Sequence, residues 1–195
     1  MLYNSSMGVV MKKSVILIWF ICLPLCAGEY SPRIAQHIDV LQNMAADPLL
    51  LRTLETTNQE CQSLIGILAI EKNWAELSLR ERHIMVSDNQ LGHKFRDMID
   101  RPETDFVEFI LSSEQGETVA AWPAPSDYWQ GDEIKFTSTV ERRAPVVEQI
   151  DWDESTGTIA LHISVPVFGK NGLVIGVLTG GIEIDISNLP ALKVK

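Results

Sequence analysis

At 195 residues, 46% hydrophobic and 22% charged, the chain is long enough for one well-cored domain, short for two, and too apolar for extended disorder. Its formal net charge of −10 repels phosphate-rich surfaces and excludes nucleic acid as a partner. Of its three cysteines, Cys22 and Cys26 fall in the first thirty residues, so the body of the chain holds only Cys61 and no disulfide framework.

Lys12 and Lys13 precede an uncharged run over residues 15–25 that ends in Cys26, Ala27 and Gly28. Charge, length and small-residue exit predict a secretory signal peptide over residues 1–28. The run has about eleven residues where a membrane span needs roughly twenty, so cleavage is expected and the product is periplasmic or secreted. Left uncleaved, the same segment would be a membrane anchor. Met11 stands directly before the lysines, which makes residues 1–10 a start-site extension. Leu25 is too bulky for the residue ahead of a lipidated cysteine. Loss of the two lysines takes the net charge from −10 to −12. Residues 29–195 are read as a single domain, in which Cys61 is a buried small hydrophobe.

From Ser31 the pattern is helical, with Ile34, Ile38, Leu41 and Ala45 on one stripe and Ser31-Pro32 at the N-cap and first turn. Asp47-Pro48 breaks it. A second helix carries Leu50, Leu51 and Leu54. A third starts near Glu60, presents Cys61, Leu64, Ile65 and Leu68 as its apolar face, and runs toward Trp74 and Leu77. A fourth, after Ser87-Asp88, carries Leu91, Phe95, Met98 and Ile99. Past Pro102 the period changes to that of strands. Residues 106–111 and 117–122 form a hairpin turning through Gly116. Pro123, Pro125 and Gly131 make residues 123–133 a structured loop across one face of the sheet, where function is expected. Ile159, Leu161, Ile163, Val165 and Val167 then alternate with Thr158, Ala160, His162, Ser164 and Pro166 as a strand with one apolar face, and Asn171-Gly172 turns it into a last strand over 173–185. The sum is α+β, with N-terminal helices packed on an antiparallel sheet.

Two clusters could carry chemistry. Asp127-Tyr128-Trp129-Gln130-Gly131-Asp132-Glu133 crowds two aromatics and three carboxylates around a glycine. Aromatic faces attract cations and carboxylates fix ammonium groups, so the segment could box an amine; equally, the rings could turn inward as loop anchors. Asp151 and Asp153 flank Trp152 and share a face if the backbone is extended, as a cation site or as a solvated edge. His37, His83, His93 and His162 show no metal spacing, and no nucleophile elbow, phosphate loop or dinucleotide fingerprint occurs, so neither enzyme, metal nor cofactor is expected. His162 alternates away from the apolar face, as a pocket wall or as a structural residue. Gly180-Gly181 marks a bulge or a close backbone approach.

Ile163-Ser164-Val165-Pro166-Val167, the turn from Gly169 to Gly172 and Val174-Ile175-Gly176-Val177-Leu178 together resemble the closing hairpin of Cache domains, the extracellular PAS-like (PDC) sensor class. Asp153-Glu154-Ser155-Thr156-Gly157 resembles the turn before that hairpin, and residues 106–122 resemble the opening one. Ser126 to Glu133 is similar to a stretch in single-module sensor regions of chemoreceptors, histidine kinases and diguanylate cyclases. The resemblance covers most of residues 31–187. It implies a long N-terminal helix on one face of a PAS-like antiparallel sheet of about five strands, a ligand on the other face, and signal transduction into a membrane. It further implies an aromatic wall at Tyr128 and Trp129, and carboxylates at Asp132 and Asp153 for a ligand amino group. Asp127, Asp151 and His162 are additional candidates. The arginine that amino-acid-binding relatives carry ahead of the aromatics is missing, with Arg142 or Arg143 as the substitutes to consider.

The sequence therefore predicts an exported sensor that captures an amine-containing or zwitterionic small molecule. Because the chain ends about ten residues after its last strand, it is expected to signal through a separate membrane-bound protein, as a monomer or as a homodimer formed through its first helix. The alternative is a ligand-free periplasmic protein that regulates a membrane receptor, kinase or cyclase by direct contact.

Overall fold

The computed structural model describes residues 30–60, 62–148, 151–153 and 158–183, with residues 151–153, 158 and 159 described by backbone alone. The expectations for the signal peptide, for Cys61 and for the turn at 154–157 lie outside the described residues.

Among the described residues, six helices and six strands follow in the order α1 (Pro32–Ala45), α2 (Pro48–Glu60), α3 (Leu64–Trp74), α4 (Leu79–Val86), α5 (Gln90–Ile99), β1 (Phe106–Ser113), β2 (Thr118–Trp122), α6 (Ile134–Arg142), β3 (Val146–Val147), β4 (Asp151–Asp153), β5 (Thr158–Phe168) and β6 (Val174–Glu183). The strands form one sheet in the order β2-β1-β6-β5-β3, with β4 also paired to β5, and every pairing is antiparallel. The architecture is α+β, with the N-terminal helices packed on an antiparallel PAS-like sheet.

Ser31 caps α1 by accepting from the Ile34 amide, and Pro32 occupies the first turn. The helix is 14 residues long and buries His37, Ile38, Leu41, Met44 and Ala45. Its outer face, with Arg33, Gln36, Asp39, Gln42 and Asn43, is polar, so a homodimer through this helix gains no support. Asp47 ends α1 and starts α2: its Oδ1 accepts from the Leu49 and Leu50 amides, while Oδ2 meets Lys94 of α5. Hydrogen bonding to the Lys94 ammonium, with the two amides adding to it, holds the Asp47 carboxyl below the usual range.

The larger core lies between α1, α2, α5 and one face of the sheet, where Phe106, Phe109, Leu111, Ile163, Val165, Val167, Leu178 and Ile182 meet Leu41, Leu50, Leu54, Leu91 and Phe95. The close approach expected at Gly180-Gly181 is real. A Cβ on Gly180 would sit 2.6 Å from the Phe106 ring and 3.0 Å from Leu41.

A smaller core on the opposite face joins Ile67 and Trp74 of α3 and Val86 of α4 to Ile110, Ala121, Ala124 and Tyr128. This corrects the expected face of the third helix. The helix starts at Leu64 rather than Glu60, Ile67 and Trp74 turn inward, and Leu64, Ile65 and Leu68 are exposed, Ile65 by 82%. Spacing alone could not choose between these faces, because apolar residues occupy most of the helix. The helix α4 was not foreseen. α4 opens on a capping box, Ser78 with Glu81, but leaves Leu79, Ile84 and Met85 at the surface and so shows no core stripe.

Candidate functional site

The second face of the sheet differs in chemistry from the first. Register places Glu108 of β1 and His162 of β5 on either side of Gly181 of β6. A Cβ at Gly181 would stand 3.1 Å from Glu108 Cγ and 3.4 Å from His162 Nε2, so the bare glycine gives the two side chains room to meet above it. His162 Nε2 lies 2.7 Å from Glu108 Oε1, and its Nδ1 lies 3.9 Å from Glu148 Oε2. Glu108 is only 1% exposed. One step along the strands, Ser164 and Thr179 share a hydrogen bond of 2.8 Å between hydroxyls. Buried polar groups persist where they are paired, and all four of these are.

Above this floor runs the loop between β2 and α6. Its Thr118-side edge is fixed by the Thr118 amide and hydroxyl donating to the Tyr128 carbonyl at 2.9 and 2.7 Å, and by the Gln130 amide donating to the Gly116 carbonyl at 2.7 Å. Its other edge is fixed by α3, where Glu71 Oε2 accepts from the Tyr128 and Trp129 amides, both at 2.8 Å, and Trp74 Nε1 donates to the Pro125 carbonyl at 3.0 Å.

Floor and roof line a narrow cleft of about 30 Å³ that is partly open to solvent. Glu108, Ile110 and His162 form the floor, Pro125, Ser126, Asp127 and Gln130 the roof, and Lys135 of α6 reaches in from the side. Gln130 is buried, its Nε2 donates to the Asp127 carbonyl at 2.8 Å, and its Oε1 has no hydrogen-bond partner among the described residues. An orphaned buried acceptor is an unusual feature in a folded protein.

The structure distributes the residues singled out in the sequence. Asp127 and His162 come together at the cleft. Tyr128 is 7% exposed and packs on Trp74, ring centroids 5.2 Å apart. Burial, with Glu117 nearby as a second cause, pushes its hydroxyl pKa up to about 12. Trp129 is half-buried; its indole donates to the Gln115 carbonyl at 2.8 Å and lies against Gly131. Asp132 is exposed one residue before Glu133, which precedes α6. None of these three lines the cleft. Arg142 is exposed on α6, and Arg143, at φ 53°, donates to the Gly172 carbonyl at 2.6 Å and covers the Phe168 ring. Asp151 and Asp153 stand opposite Ala160 and Thr158 on β4, and their side chains lie outside the described residues.

Sequence reasoning missed Glu108, Gln130 and Lys135. For Glu108 a signal existed: a carboxylate inside the run Phe106-Val107-Glu108-Phe109-Ile110 must be either exposed or paired. Its partner is 54 residues away, across a strand order that local pattern does not give.

No family model matches the chain, and neither does any curated protein. Solved structures that it resembles include sensor and ligand-binding domains of a histidine kinase and of chemoreceptors. One is the sensor domain of the V. cholerae histidine kinase DctB, with a TM-score of 0.45, 11% identity and coverage of 77% of this chain and 49% of that one. A second is the ligand-binding domain of the Pseudomonas aeruginosa PAO1 amino acid chemoreceptor PctC in complex with GABA, with a TM-score of 0.39, 15% identity and coverage of 77% and 61%. A third is the sensory domain of the Campylobacter jejuni chemoreceptor Tlp3, with a TM-score of 0.41, 16% identity and coverage of 77% and 62%. The chain thus spans about half to three fifths of those structures. With every TM-score below 0.5, these are likenesses of architecture, and no function is taken from them.

Proposed function

We propose that this chain is the ligand-binding sensor module of an exported protein, that it captures a small amine-containing or zwitterionic metabolite, and that it passes the bound state to a separate membrane signalling protein. The observation that carries the reading is the cleft between the 123–131 loop and the polar face of the sheet. There buried Glu108 with its partner His162, the orphaned Gln130 Oε1, Asp127 and Lys135 converge. Glu108 and Asp127 suit a ligand ammonium group, Gln130 Oε1 offers an acceptor for its N–H, and Lys135 suits a carboxylate in place of the missing arginine. A cavity of about 30 Å³ admits roughly one water, so binding requires the roof to lift. In this reading Tyr128 and Trp129 serve as the anchors of the roof, Asp132 stands outside the cleft, and no catalysis takes place.

A thermal-shift screen followed by calorimetric titration tests it. The panel covers amines, organic acids and amino acids, including the GABA, L-arginine, asparagine and L-serine held by similar sensor domains. Saturable binding of one member, lost in Lys135→Ala or Glu108→Gln with the fold intact, supports the proposal. Folded protein that binds nothing across these classes rejects it.

The tight cleft also favours a second reading, in which the protein regulates a membrane partner by contact alone. Co-purification separates the two: a stable complex indifferent to every small molecule in the panel belongs to the contact regulator.

A further inference from the structure

The two edges of the roof are held by different kinds of bond. On the hairpin side the grip is largely backbone to backbone, through Thr118, Gly116 and the bridge between Glu117 and Trp129. On the α3 side it is made entirely by side chains, with one oxygen of Glu71 gathering two consecutive amides and Trp74 taking the carbonyl of Pro125. α3 itself is peripheral. Its inward residues Ile67 and Trp74 pack in the smaller core with the roof residues Ala124 and Tyr128, while Leu64, Ile65 and Leu68 face solvent.

We infer that Glu71 is the latch of the cleft: a positioning residue that touches no ligand and holds the roof down against α3, so that opening of the cleft means release of the roof from this carboxylate. The inference rests on the reading of the cleft as a ligand site and adds to it the element that moves. A cleft of about 30 Å³ must open before a small molecule enters, and the side-chain edge is the one that can release without breaking the hairpin. A carboxylate accepting two amides makes charge-assisted bonds, so Glu71 sets most of the cost of release. Where binding draws on a minor open state, apparent affinity scales with the population of that state. Weakening the latch therefore tightens binding, whereas losing a residue that merely supports a preformed site weakens it.

The test uses the full chain and Glu71→Gln, which keeps the shape and one acceptor oxygen but removes the charge. Trp74→Phe, which keeps ring packing and removes the donor to Pro125, is the second variant in case the first fails to fold. Amide hydrogen exchange is measured without ligand, and L-serine is the binding probe. The latch predicts that exchange at residues 125–130 accelerates about tenfold while β5 and β6 keep their protection, and that L-serine binds several-fold more tightly. Unchanged exchange at 125–130 overturns the proposal. So does faster exchange there accompanied by equal or weaker L-serine binding, where the wild type binds L-serine. If neither wild type nor variant binds any member of the ligand panel, but exchange rises in the roof alone, the sensor reading fails and the latch stands.

Discussion

The two faces of the sheet are built from the same strands and do opposite work. Along β5, Ile163, Val165 and Val167 point into the large core, while His162 and Ser164 point toward the loop. Along β6 the adjacent glycines divide the same way: Gly180 makes room for Phe106 and Leu41, and Gly181 makes room for the Glu108–His162 pair. The first face is covered by three helices and is apolar and closed. The second is covered by a loop strapped down at two edges and keeps paired polar groups under it. Stability is concentrated on one side and adjustable chemistry on the other, so substitutions of similar size should have unlike consequences.

The largest effect belongs to the apolar face. Phe109 is fully buried, and Phe109→Ala should cost about 3–5 kcal/mol in denaturant unfolding, through lost burial and the cavity left behind. Next come the two glycines. Gly180→Ala drives a methyl into a packed ring and should lose about 1–3 kcal/mol. Gly181→Ala meets only the flexible Glu108 and the His162 ring edge, so it should change stability little while moving the pair that floors the cleft, visible as shifted His162 ring resonances in NMR. Equal stability losses from the two glycines would break the contrast between faces.

Smaller effects come from residues that secure the covering elements. Asp47→Ala removes the cap of α2 and should cost about 1 kcal/mol at neutral pH. Because the folded-state pKa of Asp47 is lowered, that contribution is complete above the unfolded-state value and is lost as pH falls through the folded one. A cap penalty that persists undiminished at pH 2 would rule out the Lys94 pairing as its source.

Glu117, bridged to Trp129 at the hairpin edge of the roof and 5% exposed, carries the opposite sign, since burial raises its pKa. The folded state favours the neutral acid, so ionisation at pH 7 opposes folding. Glu117→Gln should raise Tm slightly at neutral pH, with the gain shrinking as pH falls through the folded-state value. A variant whose Tm gain is constant with pH would show that ionisation is not what it relieves.

The apolar face was legible in the sequence because period alone defines it. The stripe of Ile38, Leu41 and Ala45 and the alternation through β5 both follow from the geometry of an isolated helix or strand. The site was legible only as a region. The loop at 123–133 announced itself by its prolines and glycines, but its most conspicuous side chains, Tyr128 and Trp129, turn toward α3 and the hairpin. The cleft is lined instead by Glu108, Gln130 and Lys135. Glu108 reaches His162 through register across three strands, and Gln130 is recognisable only by an acceptor left without a donor. α3 failed in a similar way, because nearly all its faces are apolar and the position of the loop decides which one is buried.

The most direct test of the account is a crystal structure of the protein soaked or grown with whichever panel member gives the largest thermal shift. The account predicts density for that molecule between the 123–131 loop and the sheet, in contact with Glu108, Gln130 and Lys135, with the roof lifted from Glu71. Density bound elsewhere, or a cleft still closed at saturating ligand, would contradict it.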